Sequence, residues 1–145
     1  MFEALKEAKK AFNENEVPVG CVIVQNGKII ARAHNKKEKK KLATAHAEIL
    51  AIEKACKKIG DWRLEDAELY VTLEPCMMCA GACFNARIKK VIFGALDEKG
   101  GGFGGVETLD LSKHNLLNHK IEVKENICEC ECKKLIQDFF KQKRK

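Results

Sequence analysis

Apolar positions recur along this chain with two different periods. Near the start, Ala4, Leu5, Ala8, Ala11 and Phe12 fall on one helical face, which predicts a helix from Phe2 to Asn13. Val19 to Gln25 is β-branched and apolar, Asn26-Gly27 follows, and Lys28 to Ala33 alternates. That is the pattern of a strand, a tight turn and a returning strand. The run from Lys36 to Lys41 reads as a solvated loop, and Thr44 is placed to cap a helix that ends near Ile59 at Gly60. Leu69 to Leu73 predicts a third strand. Pro75 then stands where a helix can open without needing its N–H, and that helix runs to about Ala86. Val91 to Ala95 predicts a fourth strand and Ile121 to Lys124 a short fifth. A last helix from about Glu129 to the end carries Leu135, Ile136, Phe139 and Phe140 on one side. The order is αββαβαβ, a connection, then βα, which argues for a mixed sheet with helices on both faces. No repeat or linker divides the chain, so a single domain over 1–145 is expected.

The connection holds Gly100 to Gly105. No Lys-Ser or Lys-Thr follows it, so it is not a phosphate loop, and it reads as a flexible segment. The first dozen residues are charged throughout and no apolar run could span a bilayer. A soluble protein with no membrane partner, residing in the cytoplasm, is therefore expected. In a reducing compartment the eight cysteines favour metal binding or packing over a disulfide framework.

The net charge of +6 adds a partner class. Lysines gather at Lys36, Lys37, Lys39, Lys40 and Lys41, and basic residues again at Lys141, Lys143, Arg144 and Lys145. Such a surface attracts polyanions, RNA among them, although on charge alone solvated lysine-rich faces are the commoner explanation.

Two segments carry chemistry: His46-Ala47-Glu48, and Pro75-Cys76-Met77-Met78-Cys79. Cys76 and Cys79 are three apart at a helix start, so both sulfurs project to one side, and the positive helix end favours thiolates. Two thiolates and the His46 imidazole make a soft site for Zn2+. Three protein ligands leave a fourth tetrahedral position for water, which is the catalytic pattern rather than the structural one. Glu48 lies about 200° around a helix from His46, which predicts separate jobs: His46 coordinates and Glu48 handles the proton of the water.

These motifs belong to a longer match. Glu16-Val17-Pro18-Val19-Gly20, Ala43 to Ile49, Leu69 to Ala82, Arg87-Ile88, Val91 to Ala95, Asn118-His119 and Asp138-Phe139-Phe140 together resemble the bacterial tRNA adenosine deaminase (TadA-type) family of the cytidine deaminase superfamily. The chain departs from it at Leu42-Ala43, where the family usually has Asp-Pro, and by a short insertion around Gly100–Gly105. The resemblance implies a three-layer α-β-α cytidine-deaminase-like fold with a mixed five-stranded sheet. It implies a homodimer with each active site near the partner subunit, and a target adenosine at the wobble position of a tRNA anticodon stem-loop. Asn35 matches a residue that hydrogen-bonds the base, and Asp97 a position near the ribose of the bound strand. Phe139, Phe140, Lys141, Lys143 and Arg144 match an RNA-contacting C-terminal helix. At least one of Phe139 and Phe140 is expected in the core. Cys128, Cys130 and Cys132 alternate in a way no helix brings to one face, and they read as incidental.

On this reading zinc supplies a hydroxide that attacks C6 of the adenine, and Glu48 passes the water proton to N1 and then delivers a second proton to the departing amine. A deaminase of free guanine, cytosine or a nucleoside would share the zinc machinery but has no use for a basic tail. A structural zinc module that binds RNA would need a fourth ligand and no Glu48.

Overall fold

The computed structural model describes residues 1–97, 99–103 and 119–144. The expectations for Gly104, Gly105, Asn118 and Lys145 lie outside the described residues.

The first half follows the hydrophobic pattern closely. Helix α1 spans Phe2–Asn13 and buries Ala4, Leu5, Ala8 and Ala11. Strands β1 (Gly20–Gln25) and β2 (Lys28–His34) form an antiparallel hairpin. Its turn residues Asn26 and Gly27 both take positive φ, 52° and 75°, the twist that a two-residue hairpin requires. Ile23 faces Ala31 while Val24 faces Ile29, so Ile30 is an extra residue that bends the edge strand.

The lysine run departs from the expected loop. Lys37–Lys40 make one helical turn, α2, whose side chains are exposed. The turn forms because its backbone donors have built acceptors. Buried Glu16 accepts from the N–H groups of Glu38 and Lys39 at 3.0 and 2.8 Å, and Asn35 Oδ1 accepts from Lys37 N at 3.1 Å.

Helix α3 spans Ala47–Ile59 and ends on Gly60 in the left-handed conformation, as the pattern predicts. Its N-cap is His46, not Thr44, whose contribution is the carbonyl that accepts from His46 N at 2.8 Å. Strand β3 (Ala67–Leu73) leads to α4 (Met77–Asn85), and here the N-cap is Cys76. Pro75 therefore precedes the cap instead of opening the helix. Strands β4 (Lys90–Ala95) and β5 (Glu122–Lys124) and helix α5 (Glu129–Lys143) complete the order.

The sheet order is β2-β1-β3-β4-β5, with β1 antiparallel to both neighbours and β3, β4 and β5 parallel. Helices α1 and α5 cover one face, α3 and α4 the other. The larger core lies under α3 and α4, where Ala47, Ala51 and Ala55 bring α3 close to Ile23, Ala31 and Ala33, and Phe84 and Phe93 fill the space beside α4. On the opposite face two glycines let helices touch the sheet. A Cβ at Gly20 would sit 2.0 Å from Ala4 O, and one at Gly94 would sit 2.3 Å from Cys132 Sγ. Cys132 is thus a packing residue under α5. Cys130 is exposed, and all eight cysteines are free thiols. Among the described residues no helix is long and apolar enough to cross a membrane.

Gly100 to Phe103 are held in place, contrary to the flexible segment expected. Gly101 bridges to Cys76, Gly102 N donates to Pro75 O at 2.8 Å, and Phe103 is buried against Phe84. Local composition reads glycine as freedom, but here glycine allows close approach: a Cβ at Gly101 would fall 2.2 Å from the Glu74 carboxyl carbon.

Candidate active site

The site lies at the carboxyl ends of the parallel strands β3 and β4, the edge of an open α/β sheet where ligands bind. Two helix N-termini meet there. His46 caps α3 with extended backbone (φ −77°, ψ 151°), and Cys76 caps α4 (φ −68°, ψ 175°) with Cys79 one turn in. His46 Nδ1 lies 3.7 Å from Cys76 Sγ and 3.5 Å from Cys79 Sγ. These three donors form the one His/Cys/Asp/Glu cluster of metal-binding size found among the described residues.

The spacing suits a zinc ion. With Zn–S of ~2.3 Å, Zn–N of ~2.05 Å and tetrahedral angles, nitrogen and sulfur should stand about 3.6 Å apart. Both observed separations fall within a tenth or two of an ångström of that. The electrostatics agree. Hydrogen bonding from Cys79, then His46, drops the Cys76 thiol to about 4. The same bond to Cys76, together with burial, pushes Cys79 up, and the Cys76 sulfur raises His46.

Glu48 occupies the second position of α3 and is 4% exposed. Burial is the main reason its carboxyl is pushed up to about 7, with the nearby Cys76 charge adding to it. His46 is outside the helix proper, so the expected 200° separation does not apply. An extended cap followed by a helical turn lets both side chains line one pocket of about 200 Å³.

That pocket is also lined by Val17, Asn35, Lys37, Leu73, Glu74 and Asp97. Asn35 is buried. Besides accepting from Lys37, its amide donates to Val17 O at 3.3 Å, so it ends the hairpin and faces the pocket at once. Asp97 stands at the mouth, where Oδ1 accepts from Lys99 N and Gly100 N, both at 3.1 Å. Past Asp97 the pocket continues into a groove of about 780 Å³ beside α5, sharing Val17, Leu73 and Asp97 with it.

A model of the MafB19-like deaminases matches residues 1–144. The tRNA-specific adenosine deaminase of Bacillus subtilis (strain 168) is 52% identical over 145 residues, covering 100% of this chain and 89% of that protein. The chain belongs to the tRNA-specific adenosine deaminase family. A structure solved in biochemical and structural studies of A-to-I editing by tRNA:A34 deaminases at the wobble position of transfer RNA superposes with a TM-score of 0.89. It is 41% identical and covers 93% of this chain and 96% of the other. A guanine deaminase from Bacillus subtilis is 42% identical but covers only 66% of this chain and 61% of its own, with a TM-score of 0.63. The three-layer fold with its mixed five-stranded sheet is that of the deaminase family.

The remaining positions that the family resemblance pointed to divide by geometry. Phe140 is 44% exposed and lines the groove with Lys143 and Arg144. Phe139 is 5% exposed and packs edge-on against Phe12 at 5.9 Å, so it presents no free face to a substrate. The Lys143 ammonium rests 5.5 Å from its ring centroid. Lys141 is exposed but lies off the groove. Sequence reasoning missed Lys133 and Gln137, which line the groove with Phe140 and Arg144. Their spacing of four, three and four residues was the available signal. It also missed Glu16 and Glu74, buried carboxylates whose partners are backbone N–H groups far away in sequence.

Proposed function

We propose that this chain is a zinc-dependent hydrolase that deaminates adenosine to inosine at the wobble position of tRNA anticodon loops. One observation carries the reading: His46, Cys76 and Cys79 converge beside buried Glu48 in a pocket that opens onto a basic, aromatic groove. The donor set, its spacing and the lowered Cys76 thiol fit zinc, held by His46 Nδ1 and the two sulfurs. The chemistry such an ion supplies when bound is acidification of water to a nucleophile usable near pH ~7.

The chain's own groups do the rest. The Glu48 carboxyl, pushed up to about 7, is matched to take a proton from the attacking water and give it back at neutral pH. It passes that proton to N1 of the adenine as oxygen adds at C6, and then carries the remaining proton of that oxygen to the departing amine, so that the C6–N bond breaks, ammonia leaves and inosine remains. Asn35 orients the base and Asp97 the ribose. The base has to leave its stack to enter a pocket of this size, which a single-stranded loop permits at less cost than a duplex. Phe140 offers a stacking face for the flanking strand, with Lys143 and Arg144 on its phosphates.

The chain would act as one deaminase domain over residues 1–145, in the cytoplasm with its tRNA, and as a homodimer. Supporting the dimer, Met77, Met78 and Trp62 expose apolar surface around α4 and α3, and Met77 follows a metal ligand directly, which would put a partner beside the pocket.

The deciding experiment offers metal-loaded protein an anticodon stem-loop with adenosine at the first anticodon position, and separately free guanine and cytidine at the same concentration. Inosine in the stem-loop, with the small molecules untouched, is expected. Efficient turnover of a free base with an idle stem-loop would replace this reading with a small-molecule deaminase.

A further inference from the structure

Glu74 is 1% exposed and stands two residues before the metal-cluster residue Cys76. Its Oε1 accepts from Asp97 N at 3.1 Å and its Oε2 from Phe103 N at 2.9 Å. Its own N–H donates to Ala95 O at 2.8 Å. Both carboxylate oxygens are thereby engaged with the segment that leaves β4. Gly101 packs against the carboxyl group so closely that no Cβ would fit, and the same residue bridges to Cys76. One carboxylate therefore sets the distance between the α4 cap and Asp97, the residue at the boundary of pocket and groove. A carboxylate suits this task better than a neutral group, because it accepts from two N–H donors at once and its hydrogen bonds are the stronger for its charge.

We propose that Glu74 is a positioning residue that fixes Asp97 for contact with the substrate strand, and so determines affinity for RNA without acting on the reacting atoms. The inference rests on the tRNA deaminase reading of the site. Within its own loop Asp97 is held by local bonds, Oδ1 accepting from Lys99 N and Gly100 N and its carbonyl from Gly101 N, and the Glu74 carboxylate ties its backbone N–H to the α4 side of the site. In Glu74→Gln the size is kept, but an amide N–H2 is forced against one of the two backbone donors.

The experiment measures kcat and KM separately on an anticodon stem-loop for wild type, Glu74→Gln, Asp97→Ala and the double variant, with metal content read alongside. Glu74→Gln is expected to keep its zinc and to raise KM by about ten- to a hundred-fold, the loss typical of hydrogen bonds to a charged group, with a much smaller change in kcat. Because Glu74 acts through Asp97, the double variant is expected to match Asp97→Ala in KM. Additive effects on KM, or a fall confined to kcat, would overturn the proposal. Gly101→Ala, which displaces the carboxylate while leaving every donor and acceptor in place, is read by the same criteria if Glu74→Gln does not fold. Amide hydrogen exchange of metal-loaded wild type without RNA adds a test that requires no variant and no activity. Slow exchange at Asp97 and Phe103 is expected, and rapid exchange at either position refutes the clamp. Wild type that leaves the stem-loop unmodified would count against the reading of the site, while the exchange data would still judge the clamp.

Discussion

Replacing Glu48 with Gln separates the chemistry of the site from the stability of the fold, and the two effects have opposite signs. The carboxyl is buried on the first turn of α3, and burial first, then the Cys76 charge, pushes it from 4.5 to about 7. An acid whose folded-state pKa exceeds its unfolded value binds its proton more tightly in the native protein. Stability is thus undiminished below about 4.5 and is lost progressively as pH rises through about 7. At ~1.36 kcal/mol for each tenfold change in proton affinity, the whole span corresponds to about 3 kcal/mol. Gln keeps the shape and has no proton to lose. Chelator-treated Glu48→Gln protein is therefore expected to exceed chelator-treated wild type by up to about 3 kcal/mol at pH ~8.5 and to match it near pH ~4. Urea denaturation at the two pH values measures the difference. The same substitution should leave zinc binding intact, because Glu48 is not a ligand, and should lower turnover by about 10²–10⁴. Parallel pH–stability curves for the two proteins would refute the burial argument, and near-normal turnover would remove Glu48 from the mechanism.

Cys76→Ser is expected to lose both zinc and activity, checked by metal analysis after gel filtration; full occupancy would break the ligand assignment. Lys143→Ala and Arg144→Ala should each flatten the salt dependence of stem-loop binding by about 0.7 in the log–log slope, one phosphate contact apiece. Lys141→Ala should leave that slope alone, since Lys141 lies off the groove; equal effects at all three would mean the tail attracts RNA only as diffuse charge. Gly20→Ala places a methyl 2.0 Å from Ala4 O and 2.4 Å from Ala8 N, backbone atoms that cannot turn aside. A loss of about 1–3 kcal/mol or more is expected from such overpacking, seen as a lower urea midpoint with an unchanged m value.

The periodic segments were legible in the chain alone because local rules decide them. Phe2–Asn13 is amphipathic over its whole length, Asn26-Gly27 admits the positive φ of a hairpin, and Gly60 ends a helix that has nowhere else to stop. That His46, Cys76 and Cys79 would cluster with Glu48 beside them was legible for a chemical reason, since few residue types can bind a metal or carry a proton near pH ~7, and short spacings tie them to helix starts. What lay beyond reach depends on partners distant in sequence. Lys37–Lys40 became helical because Glu16, more than twenty residues earlier, supplies acceptors for its N–H groups. Gly100–Phe103 became fixed because Glu74 and Pro75 supply its acceptors and a close wall. Phe139 and Phe140 are adjacent and chemically identical, and only the docking of α5 against α1 turns one inward onto Phe12 and leaves the other on the groove. Hydrophobic period reports which face of a segment avoids water. It cannot report which distant backbone donor a buried carboxylate will meet, because that distance is set only when the layers pack.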